Sequence, residues 1–303
     1  MSSSSLSTLN SDSPLSTLNS PLSKCVRCGT CRSVCPTFGV IQREPASARG
    51  KVSLCNALLK GECEVSQRFI KHITECTLCE ACWEVCPNEV KVHDLILAAR
   101  NEIVKKRGLS FIEGLILNGL DSDHLMPRVL KMASRFQGIF FKRVPGDSGL
   151  HRRFPFPLIA KERLVPPLAE RFFLEDRGQG VKGMGMPFTV RGQEDNSRFT
   201  ACPALRSKAG VHGSRPRIGF FVGCLINYIM PWIGDAALKV LKKAGADVVI
   251  PLEQRCCGMP ALGLGDVETA RSLALKNLET FERYELDYIT TACATCGEGL
   301  KKR

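Results

Sequence analysis

The chain of 303 residues contains no run of 18 apolar residues, which excludes a membrane-spanning helix of the usual kind. No basic stretch followed by an apolar core stands near its start, so a secretory signal is not expected. Aromatic residues are scarce, at 7%, too few to interleave with basic side chains in a nucleic-acid-binding face. No G-x-G-x-x-G follows a strand-like stretch, and neither a P-loop nor a G-x-S-x-G elbow occurs. Gly178-Gln179-Gly180 and Gly183-Met184-Gly185 lie in Pro/Gly-rich sequence and read as loop. The five histidines, His72, His93, His124, His151 and His212, are scattered and read as surface or helix filler. Of these, His72 stands four residues before Cys76, where it could hydrogen-bond to a centre bound there. Nothing in this inventory describes a complete enzyme, and no flavin site is visible.

Cysteine, by contrast, is abundant: 16 residues. Without a secretion signal, that many thiols point to metal or redox chemistry rather than to disulfides. Charge is also uneven. The net charge is +12, and residues 101–216 carry 20 Lys and Arg against 11 Asp and Glu, with a single cysteine, Cys202. Such an excess reads as a solvated face, or as a patch for an acidic partner, a membrane surface or nucleic acid.

The sequence divides into four. Residues 1–23 repeat Leu6-Ser7-Thr8-Leu9-Asn10-Ser11 at 15–20, hold only Asp12 as a charge, and read as a disordered tail. The absence of arginine there argues against a mitochondrial presequence. Residues 24–108 hold ten cysteines, with helix-like stretches at 53–60, 65–73 and 93–107, the last closed by Gly108. Residues 109–216 form a basic Pro/Gly-rich linker in which Pro145, Pro155, Pro157, Pro166 and Pro167 block long helices. Within it, 126–143 has helical spacing with interleaved Arg and Lys; it fits packing on its own domain, docking of a partner, or attachment to a membrane surface. Residues 217–303 alternate strands at 217–223, 246–251 and 288–291 with helices at 232–244 and 266–284, the pattern of parallel βαβ units.

Two cysteine runs dominate the second segment. Cys25-x2-Cys28-x2-Cys31-x3-Cys35-Pro36 and Cys76-x2-Cys79-x2-Cys82-x3-Cys86-Pro87 both fit C-x2-C-x2-C-x3-C-P, the run that binds [4Fe–4S] clusters in two-cluster ferredoxins. Steps of three wrap a tight loop around one cubane, and the fourth cysteine ligates the other cluster. One cluster is therefore expected on Cys25, Cys28, Cys31 and Cys86, and the other on Cys76, Cys79, Cys82 and Cys35. Zinc sites usually pair two C-x2-C units and have no use for the remaining cysteines at these offsets. Cys55 and Cys63 fall outside the pattern and read as ordinary thiols. Each cubane with its four thiolates carries roughly −2, which enters any local account of charge.

The last segment reads C-x31-C-C-x35-C-x2-C: Cys224, the Cys256-Cys257-Gly258-Met259-Pro260 stretch, and Cys293-Ala294-Thr295-Cys296. Each cysteine group follows one strand, so in a parallel sheet all five thiols reach the carboxyl edge, where such sheets bind ligands. The pattern, with Gly223 before Cys224 and Gln254 before the pair, resembles the cysteine-rich CCG domain. That domain is shared by heterodisulfide reductase and by iron–sulfur subunits of glycolate, lactate and anaerobic glycerol-3-phosphate dehydrogenases. The resemblance implies a noncubane iron–sulfur cluster as in the reductase, or zinc or another cluster type as in other relatives. An empty site, or one assembled only with a missing half, is a further alternative.

The order of motifs, with Ser47-Ala48-Arg49-Gly50-Lys51 between the two runs, resembles the glycolate oxidase iron–sulfur subunit family. The expected fold class is α+β multidomain: a helical dicluster ferredoxin domain followed by an α/β cysteine-rich domain with a short parallel sheet. Family members usually carry a second CCG domain, whereas this chain stops at Arg303, seven residues after Cys296. The expectation is an incomplete CCG region, its second half supplied by another polypeptide or lost from a fragment. The resemblance further implies an FAD-containing dehydrogenase partner, electron relay from it to a quinone or another carrier, and a cytoplasmic place, peripheral at the inner face of the membrane. A competing reading is heterodisulfide-reductase-like thiol chemistry at the CCG centre. Redox sensing on nucleic acid is a third, and no nucleic-acid partner is expected.

Overall fold

A computed structural model describes residues 22–122, 125–143, 149–153, 164–178, 187–191 and 215–302. The repeated tail at 1–21, Pro145, Pro155, Pro157, Cys202, His124, His212 and the glycines at 180, 183 and 185 lie outside the described residues. The chain forms two compact units. One runs to Gly114 and includes Pro260–Ala270; the other holds Leu115–Met259 and Arg271 onward.

The first unit is helical. Its elements are α1 (Pro36–Ile41), α2 (Ala48–Leu59), α3 (Gln67–Thr74), α4 (Ala81–Glu84) and α5 (Val92–Arg107), with 3-10 turns at Thr30–Arg32 and Glu44–Ala46. The helix read at 53–60 starts earlier, at Ala48, because Ser47 caps it: the hydroxyl accepts from the Gly50 N–H at 3.0 Å. Ser66 caps α3 in the same way through the Phe69 N–H at 3.2 Å. Gly108, at φ 73°, closes α5 by donating to the Val104 carbonyl at 2.7 Å. Helical spacing puts Val52, Cys55 and Leu58 of α2, Phe69 and Ile73 of α3, and Leu95, Ile96 and Ala99 of α5 into one apolar core.

Residues 260–270, although late in sequence, belong to this unit. Buried Arg100 of α5 donates to the carbonyls of Ile73, Thr74 and Cys76, at 3.3, 3.1 and 2.6 Å, and to that of Gly263 at 2.5 Å. A methyl group on Gly265 would stand 2.5 Å from the Arg100 backbone, so only glycine permits this approach.

The second unit contains α6 (Phe111–Asp121, from Leu115 on), α7 (Leu125–Phe140) and a hairpin of β1 (Phe141–Arg143) and β2 (Leu150–Arg152). There follow along the chain α8 (Phe173–Gly178), β3 (Phe188–Val190), β4 (Arg217–Phe221), α9 (Gly223–Tyr228), α10 (Pro231–Lys243), β5 (Asp247–Ile250), α11 (Met259–Leu264), α12 (Val267–Glu282), β6 (Tyr288–Thr291) and α13 (Ala294–Lys302), with α11 past Met259 and α12 up to Ala270 counted in the first unit. The helix read at 126–143 thus ends at Phe140, because its last three residues pair with β2 instead. The four-stranded sheet has the order β3-β5-β4-β6. Strands β5, β4 and β6 are parallel, as the sequence implies, while β3 adds an antiparallel edge that sequence reading leaves in a linker.

The stretch before the sheet is built into it. Phe173 packs with Phe220, Val222, Ile226, Leu238, Val248 and Ile250, and Gly234 leaves room for its ring. The Asn227 side-chain oxygen accepts from the Leu174 N–H at 2.9 Å. Arg177 lies over the Phe173 ring and pairs with Asp235. Among the described residues, no helix is long and apolar enough to cross a membrane.

Candidate metal centres

Two chambers in the first unit gather the paired cysteine runs. One is lined by Cys25, Cys28, Cys31 and Cys86, the other by Cys35, Cys76 and Cys79; Cys82 borders both. The structure therefore brings Cys86 to the first run and Cys35 to the second, across 55 residues from Cys31 and 41 residues from Cys76.

The two loops repeat one backbone device. Arg27 and Leu78, each just before the middle cysteine, have φ of 58° and 55°; Gly29 and Glu80, just after it, have φ of 90° and 62°. Left-handed residues on both sides of Cys28 and Cys79 curl the chain tightly, and three of the four bear side chains that disfavour this conformation. Such curled backbone presents N–H groups to a concavity suited to an anion. The loops are tied down locally. The Asn88 amide donates to the Lys24 carbonyl at 2.8 Å, and the Val90 N–H to the Cys86 sulfur at 3.5 Å.

The thiols differ in proton affinity. A hydrogen bond from the Thr30 hydroxyl, at 3.4 Å, holds Cys28 below the ordinary thiol value. Burial pushes Cys31 up, and burial with the neighbouring thiols pushes Cys82 up to about 12. Cys55 and Cys63 line neither chamber. Burial raises both thiols, Cys55 to about 12.

The helix start at Ser47–Lys51 stands beside both chambers. Arg49 lines the first; it forms a two-point ion pair with Glu44, at 2.5 and 3.1 Å, and donates to the Arg27 carbonyl at 3.1 Å. Lys51 lines the second and is only 1% exposed. Two residues of this neighbourhood escape sequence reading. His93, not His72, lines the second chamber, and its buried Nδ1 has no hydrogen-bond partner among the described residues. His72 faces Glu75 instead, at 3.4 Å. The spacing of Lys51 in an amphipathic helix gives no sign of its burial.

In the second unit five thiols, Cys224, Cys256, Cys257, Cys293 and Cys296, meet at the carboxyl ends of β4, β5 and β6. They form a hydrogen-bonded chain: Cys224 with Cys256, Cys256 with Cys257, Cys257 with Cys296, and Cys296 with Cys293. Donation from Cys256 lowers Cys224 to about 7, and donation from Cys256 and Cys296 lowers Cys257 to about 3. The same bonds raise the donors, Cys256 and Cys296.

Buried side chains set this arrangement. Gln254 accepts from the Val222 N–H at 2.7 Å and donates to the Pro251 carbonyl at 2.8 Å, fastening the loop after β5 to the end of β4. Asn277 of α12 accepts from the Arg255 N–H at 2.8 Å and donates to the Cys256 carbonyl at 3.0 Å. Gly223, at φ 71°, leaves room for Cys296: a methyl group there would lie 2.6 Å from its sulfur. Asn277 carries no recognisable signal in sequence, because it stands 20 residues past the pair it holds.

Beside Cys224 and Cys256 opens a cavity of about 670 Å³, bordered also by Arg128, Lys131, Tyr228 and Arg255. Among the described residues, no three His, Cys, Asp or Glu side chains close around a point as a single metal ion requires. The cysteine-only donor sets and the buried cation beside one of them fit an anionic iron–sulfur group.

Comparison with known proteins finds a match for each of the two regions. Residues 21–90 match the 4Fe-4S dicluster domain, and residues 218–301 the cysteine-rich domain called CCG. The chain is 28% identical to the "Probable glycolate oxidase iron-sulfur subunit" of Bacillus subtilis (strain 168), over 91% of this chain and 57% of that protein. It is 24% identical to the glycolate oxidase iron-sulfur subunit of Escherichia coli (strain K12), over 87% of this chain and 53% of that one. A shorter match, 45% identical over 28% of the chain and 17% of the relative, is to a polypeptide of the fumarate reductase (CoM/CoB) of Methanothermobacter marburgensis. The chain spans about half the length of the curated relatives it matches along most of its sequence. No solved structure matches it. The chain is an iron–sulfur protein that joins a 4Fe-4S dicluster domain to a CCG cysteine-rich domain, and it is a distant homologue of glycolate oxidase iron–sulfur subunits.

Proposed function

We propose that the chain relays electrons within a flavin-linked 2-hydroxy-acid dehydrogenase of the glycolate or lactate type. In this reading Cys25, Cys28, Cys31 and Cys86 hold one [4Fe–4S] cluster, and Cys76, Cys79, Cys82 and Cys35 hold the other. Cys224, Cys256, Cys257, Cys293 and Cys296 hold a third iron–sulfur centre. The observation that carries the reading is the crossed grouping of two cysteine runs into two chambers. Such clusters, when bound, supply one-electron storage. The chain's own residues fix the thiolates, exclude water with the α2–α3–α5 core, and offer backbone N–H groups and cations to the centres. Electrons come from an FAD-containing partner subunit and leave to a quinone or another carrier. The same reading puts the chain in the cytoplasm, peripheral at the inner face of the membrane.

The test is an iron, sulfide and zinc count on anaerobically purified protein, with EPR after dithionite reduction. More than about eight iron, with a signal that Cys257→Ala removes, is expected for three centres. One zinc beside about eight iron would make the CCG centre structural, and fewer than about six iron would overturn the relay.

One observation favours a second reading. The 670 Å³ cavity with Arg128, Lys131 and Arg255 on its walls opens at Cys224 and Cys256. Its walls also carry Glu253 and Glu175, the latter paired with Lys131, which leaves a small excess of positive charge. Such a pocket beside reactive sulfur suits an anionic disulfide, reduced by two electrons and two protons to two thiols, as in heterodisulfide-reductase-like proteins. Dithionite-reduced protein that releases thiols from such a disulfide, and loses this activity in Cys224→Ala, would establish it.

A further inference from the structure

Lys51 is a charged side chain in an unusual setting. It is 1% exposed. Its ammonium donates to the Ala46 carbonyl, and no ion pair to it is found among the described residues. The same carbonyl accepts from the Cys35 thiol at 3.8 Å. Lys51 stands in the wall of the chamber formed by Cys35, Cys76, Cys79 and Cys82. Two residues earlier on the same helix, Arg49 has the opposite arrangement: it is neutralised by Glu44 and remains partly in solvent.

An ammonium taken out of water is costly unless an anion faces it. Glu80 borders the chamber, but it approaches His93, at 3.8 Å. The four thiols are therefore the groups able to balance Lys51, as thiolates around a negatively charged centre. We propose that Lys51 is the internal counter-cation of the centre held by Cys35, Cys76, Cys79 and Cys82, and that it stabilises the reduced form. This rests on the reading that these thiols hold a cluster.

The physical argument is one of charge. Accepting an electron makes the centre more negative by one unit, while its thiolate ligands remain in place. In a buried, weakly polarisable setting, a fixed cation beside it is attracted more strongly after reduction than before. The electron comes from the reduced flavin partner, whose oxidation balances the step. Lys51 supplies charge only; it forms and breaks no covalent bond. The neighbouring centre, on Cys25, Cys28, Cys31 and Cys86, has no equivalent buried cation among the described residues, since Arg49 already belongs to Glu44.

The experiment is an EPR-monitored redox titration of the full-length holoprotein, wild type against Lys51→Met and Lys51→Arg. Lys51→Met should lower the reduced-to-oxidised ratio of one cluster at least tenfold at a fixed potential, a shift of about 59 mV for one electron. The other cluster should not move, and Lys51→Arg should keep most of the original value. Unchanged midpoints in Lys51→Met, equal shifts of both clusters, or an Arg variant that behaves like the Met variant would overturn the proposal. Should Lys51→Met fail to take up iron, pulsed EPR on wild type labelled with ¹⁵N-lysine gives the answer instead. A nitrogen coupling to one reduced cluster is expected, and its absence would overturn the role of Lys51. Iron content of the wild type separates the two questions: fewer than about six iron refutes the cluster reading, while about eight with unresponsive potentials refutes Lys51 alone.

Discussion

A methyl group on Gly50 would lie 1.9 Å from the Glu44 carbonyl oxygen, so the start of α2 can sit against the Glu44–Ala46 turn only with glycine there. Gly50→Ala must push the helix start away, and Arg49 and Lys51 move with it. The expected outcome is loss of iron from both dicluster centres, whereas Gly39→Ala, with nothing within 4 Å of the added carbon, should keep it. Iron per chain after anaerobic purification distinguishes them. Thiol chemistry gives a second residue-level prediction. In metal-free protein, Cys28 is exposed and held below the usual thiol value, while Cys55 is buried and raised to about 12. At any pH between, Cys28 carries the larger thiolate fraction, so iodoacetamide should label it first and Cys55 last, as read by peptide mass spectrometry. The grouping of the cysteines into two chambers was legible because each run has the spacing of a two-cluster ferredoxin. Lys51, His93 and Asn277 were not, because each is chosen by tertiary proximity and looks like any helical residue of its type.

At the level of elements, the parallel strands β4, β5 and β6 were readable as short apolar runs separated by helical periods. The edge strand β3 was not, because three residues carry no measurable alternation and only pairing with β5 makes them a strand. Helix α9 was hidden likewise, beginning at a left-handed glycine with no capping side chain. Two tests belong here. Phe173→Ala empties a buried site packed against β4 and β5, and should cost the second unit about 3–5 kcal/mol. Chemical denaturation followed by far-UV circular dichroism measures it. Gly223→Ala should drive Cys296 away from its neighbours, so that any metal the CCG thiols bind in the wild type is lost while about eight iron stay in the first unit. Elemental analysis with EPR would reveal the opposite pattern if the placement were wrong.

For the molecule as a whole, two units with separate apolar cores predict two unfolding transitions in calorimetry. The first core includes seven cysteines, five of them from the two runs, and is mostly short helices, so chelation of iron under oxidising conditions should abolish its transition. The transition of the sheet-centred unit should move to lower temperature and persist. A single transition at all iron contents would mean that the two cores do not melt separately. The basic excess of residues 101–216 could be counted in the sequence, but its spatial use could not, because it falls partly on residues outside the description.

The membership of residues 260–270 in the first unit bears on how the protein is made. Arg100 cannot complete its bonds until Gly263 has been synthesised, 163 residues later. Synthesis at about 5–20 residues per second leaves the amino-terminal cysteines waiting for roughly 10–30 s beyond their own emergence. During that interval Arg100 holds the carbonyls of Ile73, Thr74 and Cys76 without its Gly263 partner. A ribosome stalled before Gly263 should therefore leave a first unit that opens to protease more readily than in the finished protein.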